Sequence, residues 1–162
     1  MSFMKRIEQF SVDIDKFSKR MIKRVMEAQQ VACQKICDDI KSGAPVNTGA
    51  YKNSIKTSKT YVQGKKIVTR IYSNMTLYSD TNNTWNGVPL AAIIEHGTRP
   101  HFIRPHKPDG WLHWTDEDGE HFARWVWHPG TVANPHWSNA LLRNQEYYKK
   151  TIRKAVGKRW IH

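Results

Sequence analysis

One apolar stripe dominates the first quarter of the chain. Phe10, Ile14, Phe17, Met21, Val25, Ala28, Ala32, Ile36 and Ile40 recur at spacings of three or four, which places them on one face of an α-helix. Lys16, Lys19, Arg20, Lys23 and Arg24 fall mostly off that face. The pattern predicts a helix over residues 11–42, with Ser11 as N-cap and Asp13 and Asp15 in the first turn, where the helix dipole favours negative charge. Gly43 and Pro45 form the stop signal. A helix of about thirty residues runs roughly 45 Å, whereas strands of five residues cover only about 17 Å. Such a helix must lie across a sheet and also reach beyond it. Ile14 and Phe17 are therefore expected to contact a second chain, or to be partly exposed in an isolated subunit.

The rest of the chain supplies the sheet. Residues 57–62 and 66–73 read as two strands around Gln63-Gly64-Lys65, because Ile67, Thr69 and Ile71 alternate with Val68, Arg70 and Tyr72. Residues 79–88 read as a surface loop, and residues 90–96 as one or two helical turns. Pro100, Pro105 and Pro108 exclude a helix from the stretch that follows. Residues 111–115 and 120–128 predict a hairpin around Asp116-Glu117-Asp118-Gly119. A last helix is expected over residues 135–156, with Asn134 as its cap and Pro135 in its first turn. The expected architecture is one α+β domain over residues 1–162. It has a long N-terminal helix, a mainly antiparallel β-sheet with its loops over residues 55–128, a Trp-rich hairpin and a C-terminal helix.

Charge narrows the partners. Lys and Arg total 26 against 14 Asp and Glu, a formal charge of +12, which favours DNA, an acidic protein surface or anionic lipid. No run of residues approaches the length of a membrane span, and charged residues interrupt the N-terminus where a signal peptide would be apolar. The expectation is a protein made in a cytosol, neither exported by a visible signal nor embedded in a membrane. Cys33 and Cys37 sit one helical turn apart, a poor geometry for a disulfide, and read as reduced thiols.

Three segments carry more than turn chemistry. They are Ala44-Pro45-Val46-Asn47-Thr48-Gly49-Ala50-Tyr51-Lys52-Asn53-Ser54-Ile55, then Leu90-Ala91-Ala92-Ile93-Ile94-Glu95-His96-Gly97-Thr98, then His128-Pro129-Gly130-Thr131-Val132-Ala133-Asn134-Pro135-His136-Trp137. In order and spacing they resemble the siphophage tail-completion or head–tail joining family of neck connector proteins. That family has a Pro-x-x-Thr-Gly-x-x-x-x-Ser segment after a long helix, a Glu-x-Gly-Thr after a short apolar segment, and a Pro-containing entry to the last helix. The resemblance covers residues 10–154, and the tryptophan hairpin looks like a larger insert of some members.

The resemblance implies a structural virion protein of the neck. It would form a homo-oligomeric, sixfold ring between the head-closure and tail-terminator proteins, with DNA passing through the centre and touched only non-specifically. Candidate subunit-interface residues are Ile14 and Phe17 from the stripe, Thr48 and Gly49, then Glu95, Gly97, Thr98 and Arg99, and Trp125 and Trp127 from the hairpin. Each motif residue also has a local role. Thr48 can cap the next turn, Gly49 admits a positive φ, Gly97 is a natural helix stop, and Thr98 can bond back to freed helix carbonyls. Glu95 is expected to meet a basic residue of the next subunit as well. Trp111, Trp114, Trp125 and Trp127 alternate along the hairpin, so one face can enter a core and the other is left for an interface.

Two other classes compete. A metal-dependent nuclease would draw on the eight histidines, with His113, Asn134 and His136 as a candidate trio on a hairpin and following helix. No acidic ligand lies beside the last two, and the five-residue spacing of His96, His101 and His106 suits neither helix nor strand. A regulatory or toxin-like basic protein binding nucleic acid directly is the third class. No nucleophile elbow, phosphate loop or paired-carboxylate motif is present. The sequence therefore predicts no catalytic residue, no metal site and no cofactor.

Overall fold

The computed structural model describes residues 7–13, 18–76, 89–105 and 107–157. Ile14, Phe17 and the loop read over residues 79–88 lie outside the described residues. The chain begins with strand β1 (Ile7–Asp13) and helix α1 (Lys19–Gly43), followed by α2 (Ala50–Ser54), β2 (Ile55–Thr57), β3 (Tyr61–Gln63) and β4 (Lys66–Ser73). Then come α3 (Leu90–His96), β5 (His101–Ile103), β6 (Leu112–Asp116), β7 (Gly119–Ala123), β8 (Val126–His128) and α4 (His136–Val156). The class is α+β, with a long N-terminal helix, a C-terminal helix and antiparallel sheets.

The N-terminus departs from the sequence reading. Residues 11–13 belong to β1, and the cap of α1 is Ser18, whose hydroxyl accepts from the Met21 N–H. Phe10-Ser11-Val12 alternates apolar and polar, so it satisfies a strand as readily as Phe10 and Ile14 satisfy a helix. Pairing decides between them. The open edge of β4 takes up Ile7–Asp13 in antiparallel register, from Ile7 opposite Tyr72 to Asp13 opposite Lys66.

On its other side β4 pairs with both β2 and β3. Thr57 faces Ile71 and Tyr61 faces Val68, so residues 58–60 oppose only two residues of β4. The extra residue makes a bulge, which splits the single strand expected over residues 57–62. Side chains hold the bulge. Gln30 Oε1 accepts from the Thr60 N–H and hydroxyl, and Ser58 Oγ accepts from the Arg70 N–H.

Val25, Gln29, Ala32, Cys33, Ile36, Cys37 and Ile40 form the buried stripe of α1. It packs against β4 and β2 of the sheet and against α4. The helices α1 and α4 run antiparallel. Gly43 touches His136, Asn144 bonds Asp39, and Val25 packs with Ala155 at the far end. Cys33 and Cys37 are free and fully buried. Desolvation pushes the Cys33 thiol up to about 12 and raises that of Cys37.

Candidate functional site

The three motif segments meet at one end of the helix pair, where α1 finishes and α4 begins. Gly43 admits α4 there because any side chain at that position would strike His136 Cβ, 2.9 Å from where its own Cβ would sit. Tyr51 of α2, Glu95 of α3, and His136 and Trp137 of α4 are all buried at this junction. Their hydrogen bonds set the proton positions. His136 Nδ1 lies 2.9 Å from the Asn134 carbonyl, which can only accept, so Nδ1 carries the proton. Nε2 lies 2.9 Å from the Tyr51 hydroxyl, and that hydroxyl accepts from Trp137 Nε1 at 3.0 Å; Glu95 Oε2 is 3.6 Å from Nδ1.

Glu95 closes the end of α4 from outside the helix. Pro135 at the N-cap offers no side-chain bond, so the first-turn N–H groups would face a dry interior unpaired. The Glu95 carboxylate accepts from the Trp137 N–H and Ser138 N–H, each at 3.0 Å, and from the Ser138 hydroxyl at 2.6 Å. These are charge-assisted bonds at the positive end of a helix dipole. Asn134, expected to cap α4, instead donates to the Gly43 carbonyl and so ties the two helix ends together.

The next turn is fixed by two close backbone approaches. Gly97 ends α3 at φ 68°, and a Cβ there would sit 2.3 Å from the Thr131 carbonyl oxygen. Gly130, at φ 88°, faces the Thr98 carbonyl oxygen in the same way. Between them Thr98 and Thr131 form an isolated antiparallel bridge. Thr98 therefore does not bond back to α3; its N–H donates to the Thr131 carbonyl, and its Oγ1 accepts from the Thr131 N–H.

From this root an arm extends over residues 99–128. None of its described residues is buried. Trp125 and Trp127 do not share a hairpin with Trp111 and Trp114 as the sequence suggested. The hairpin is Leu112–Asp116 with Gly119–Ala123, and β8 turns away to pair with β5. Three-residue β8 is recruited by the Gly130 root, which brings His128 opposite His101, a pairing that no local pattern announces.

On the β5–β8 ribbon, Phe102 sits opposite Trp127 with ring centroids 4.7 Å apart, and Trp125 packs edge-on at 5.2 Å. Trp111 stacks under Arg124, and Phe122 under His113. These six rings, Trp114 included, stay between 39% and 60% exposed. Aromatic residues of this kind bury about 150–250 Å² each when covered, so roughly 600 Å² remains open. Phe102, Trp125 and Trp127 pack together as one exposed aromatic patch on the β5–β8 ribbon, the kind of surface that marks an interaction site.

The interface candidates thus separate. Arg99, Trp125 and Trp127 are exposed on or beside the arm, and Thr48 is exposed with its hydroxyl accepting from the Ala50 N–H. Gly49, at φ 76°, starts α2. Gly97 and Thr98 form the arm's root. Glu95, only 2% exposed, is enclosed within its own chain. The proposed nuclease trio is not assembled as a ligand set. His113 stacks on Phe122 in the arm, while His136 and Asn134 serve the helix junction. Among the described residues no group of three His, Cys, Asp or Glu is placed to hold a metal ion. No helix among the described residues is long and apolar enough to cross a membrane. The buried junction is the feature that sequence reasoning missed, although Glu95 and Trp137 were inside the segments it singled out.

Residues 2–97 match the family model HK97-gp10_like, described as "Bacteriophage HK97-gp10, putative tail-component". No curated protein and no solved structure gives a match.

Proposed function

Because the chain belongs to the HK97-gp10-like family of phage tail components, a virion protein by that membership, we propose that it is the neck subunit that joins head to tail. Copies of the chain close into a sixfold ring between the head-closure and tail-terminator proteins, and DNA passes through its centre. The observation that carries this reading is the arm, a segment with no core of its own and about 600 Å² of open aromatic surface. An arm of this kind is stable where neighbouring chains cover it. The buried Glu95 junction supports the same reading, since it fixes the arm's root to the two long helices.

The work of such a subunit is binding. The excess of 26 Lys and Arg over 14 Asp and Glu gives the ring a positive field, and residues facing its channel meet phosphates without reading bases. No catalytic step is proposed. The test is a phage that carries a nonsense mutation in the gene for this chain. It should yield filled heads and complete tails that fail to join, with joining restored by adding the purified protein. Mass spectrometry of finished particles should find about six copies. Normal particles lacking the chain would refute the proposal.

A further inference from the structure

The molecule is electrically polar along its helix pair. Residues 97–135 hold four Lys and Arg against five Asp and Glu, while the rest of the chain holds 22 against nine. Four of the arm's acids, Asp116, Glu117, Asp118 and Glu120, cluster at the β6–β7 turn. His121 and His113 lie beside Asp116 and Glu120, and Glu117 and Asp118 form the tip itself. At the opposite end of the helix pair, α1 begins with exposed Lys19, Arg20, Lys23 and Arg24, and α4 finishes with exposed Arg153 and Lys154. Packing of Met21, Ile22 and Val25 with Ala155 and Val156 brings these two helix ends together as one basic pole. Glu27 is the acid nearest to it in α1.

Cations at the end of α4 suit that helix's dipole, but those at the start of α1 oppose theirs. The first turn of α1 contains no acid at all, although negative charge is what a helix N-terminus favours. The pole is therefore not arranged for the stability of its own subunit. It fits an anionic partner. Within one chain the tip's strands β6 and β7 pack on each other and make no comparable contact with α1 or α4, so the tip does not serve the pole of its own subunit.

We propose that the aromatic arm and acidic tip of one chain dock on the basic pole of a second copy. The chemistry is matched on both sides. Carboxylates at the tip take Lys and Arg, and the open faces of Trp125, Trp127 and Phe102 take guanidinium and ammonium groups as Arg124 already stacks on Trp111 within the arm. These three rings offer about 300 Å² of the roughly 800 Å² per partner of a standard interface, and the charged side chains of tip and pole add to the contact. Duplex DNA explains the pole but not the arm, since stacking on exposed rings requires unpaired bases. The contact joins two different surfaces, so it is heterologous and generates a ring when its rotation closes. The docking rests on the surfaces described here, and its closure into a sixfold ring rests on the proposed neck role.

The test uses the full chain, freed of nucleic acid, with sedimentation equilibrium at low and high salt. The native chain should associate at low salt and weaken as salt rises. The tip variant Glu117→Lys/Asp118→Lys and the pole variant Arg153→Glu/Lys154→Glu should each lose association by about tenfold or more, since two attractive charges are lost and two repulsive ones introduced. Mixed in equal amounts, the two variants should associate again in pairs, because the native tip of the pole variant then finds the native pole of the tip variant. Trp125→Ala/Trp127→Ala should weaken association without changing the circular dichroism. Association of the native chain that neither variant disturbs would overturn the docking while leaving the neck role standing. A native chain that remains monomeric, or associates only with another virion protein, would overturn it too, and the particle experiment would then decide the neck role separately. A pole variant that loses only DNA affinity, with no recovery on mixing, would assign the pole to nucleic acid and reject the proposal.

Discussion

Removing the Glu95 carboxylate should destabilise the subunit itself. In Glu95→Ala the N–H groups of Trp137 and Ser138 lose their acceptors in a junction where Glu95 is 2% exposed. A buried donor left unpaired costs about 1–3 kcal/mol, and the helix end also loses a favourable negative charge. The Ser138 hydroxyl, 2.6 Å from Oε1, can rotate toward another acceptor and adds less. The expected loss is about 3–5 kcal/mol, from two orphaned buried donors together with the lost charge at the helix end. For a chain of this size that is a fall of about 6–20 °C in Tm. Glu95→Gln keeps one carbonyl oxygen but turns an amide NH2 toward an N–H donor, and should cost about 2 kcal/mol. Thermal and urea unfolding followed by circular dichroism measure both variants. A loss below about 1 kcal/mol for Glu95→Ala would refute the capping argument.

Five further outcomes are expected. Gly97→Ala, which brings a Cβ within 2.3 Å of the Thr131 carbonyl at φ 68°, should cost more than about 2 kcal/mol. Gly64→Ala, at φ 58° in open space, should cost only about 1 kcal/mol in the same unfolding assay. Trp125→Ala and Trp127→Ala should each shift the stability of the isolated subunit by less than about 1 kcal/mol, because both rings are more than half exposed. Cys33 and Cys37 should resist alkylation until the protein unfolds. Their raised folded pKa values contribute stability that is complete below the unfolded value of 9.0 and is lost as pH rises toward about 12; denaturation midpoints between pH 8 and about pH 11 check this. Duplex and single-stranded DNA incubated with the chain and Mg²⁺, Mn²⁺ or Zn²⁺ should stay intact, and any binding should weaken steeply with salt on a mobility-shift gel.

How much of this was legible from residues alone varied with the range of the interaction. The α1 stripe from Val25 to Ile40, the β4 alternation, the short α3 and the extent of α4 are local patterns, since each residue signals through neighbours three, four or two positions away. Tyr51, Glu95 and Trp137 stood in the three recognised segments, so the parts of the junction were visible but not their assembly. Trp137 bonds Tyr51 across 86 positions and Glu95 across 42, and no periodicity encodes pairs so far apart.

By itself the sequence determined the type of the long elements α1, β4 and α4, the family pattern over residues 2–97 and the excess of positive charge, because these follow from side-chain identity and short spacing. Only the tertiary structure decided that residues 7–13 extend β4 instead of α1, since an unpaired strand edge outweighs a helical period that the same residues also satisfy. It alone decided that Glu95 faces inward. A carboxylate follows the unpaired donors of a buried helix end, and where that end lies is fixed by packing between α1 and α4. The arm was settled in the same way. Alternation alone makes its tryptophans half core and half interface, but the described residues of 99–128 contribute nothing to the core, because two glycine-bounded backbone approaches root them at the rim of the helix pair, where α1 and α4 have already closed over the apolar interior.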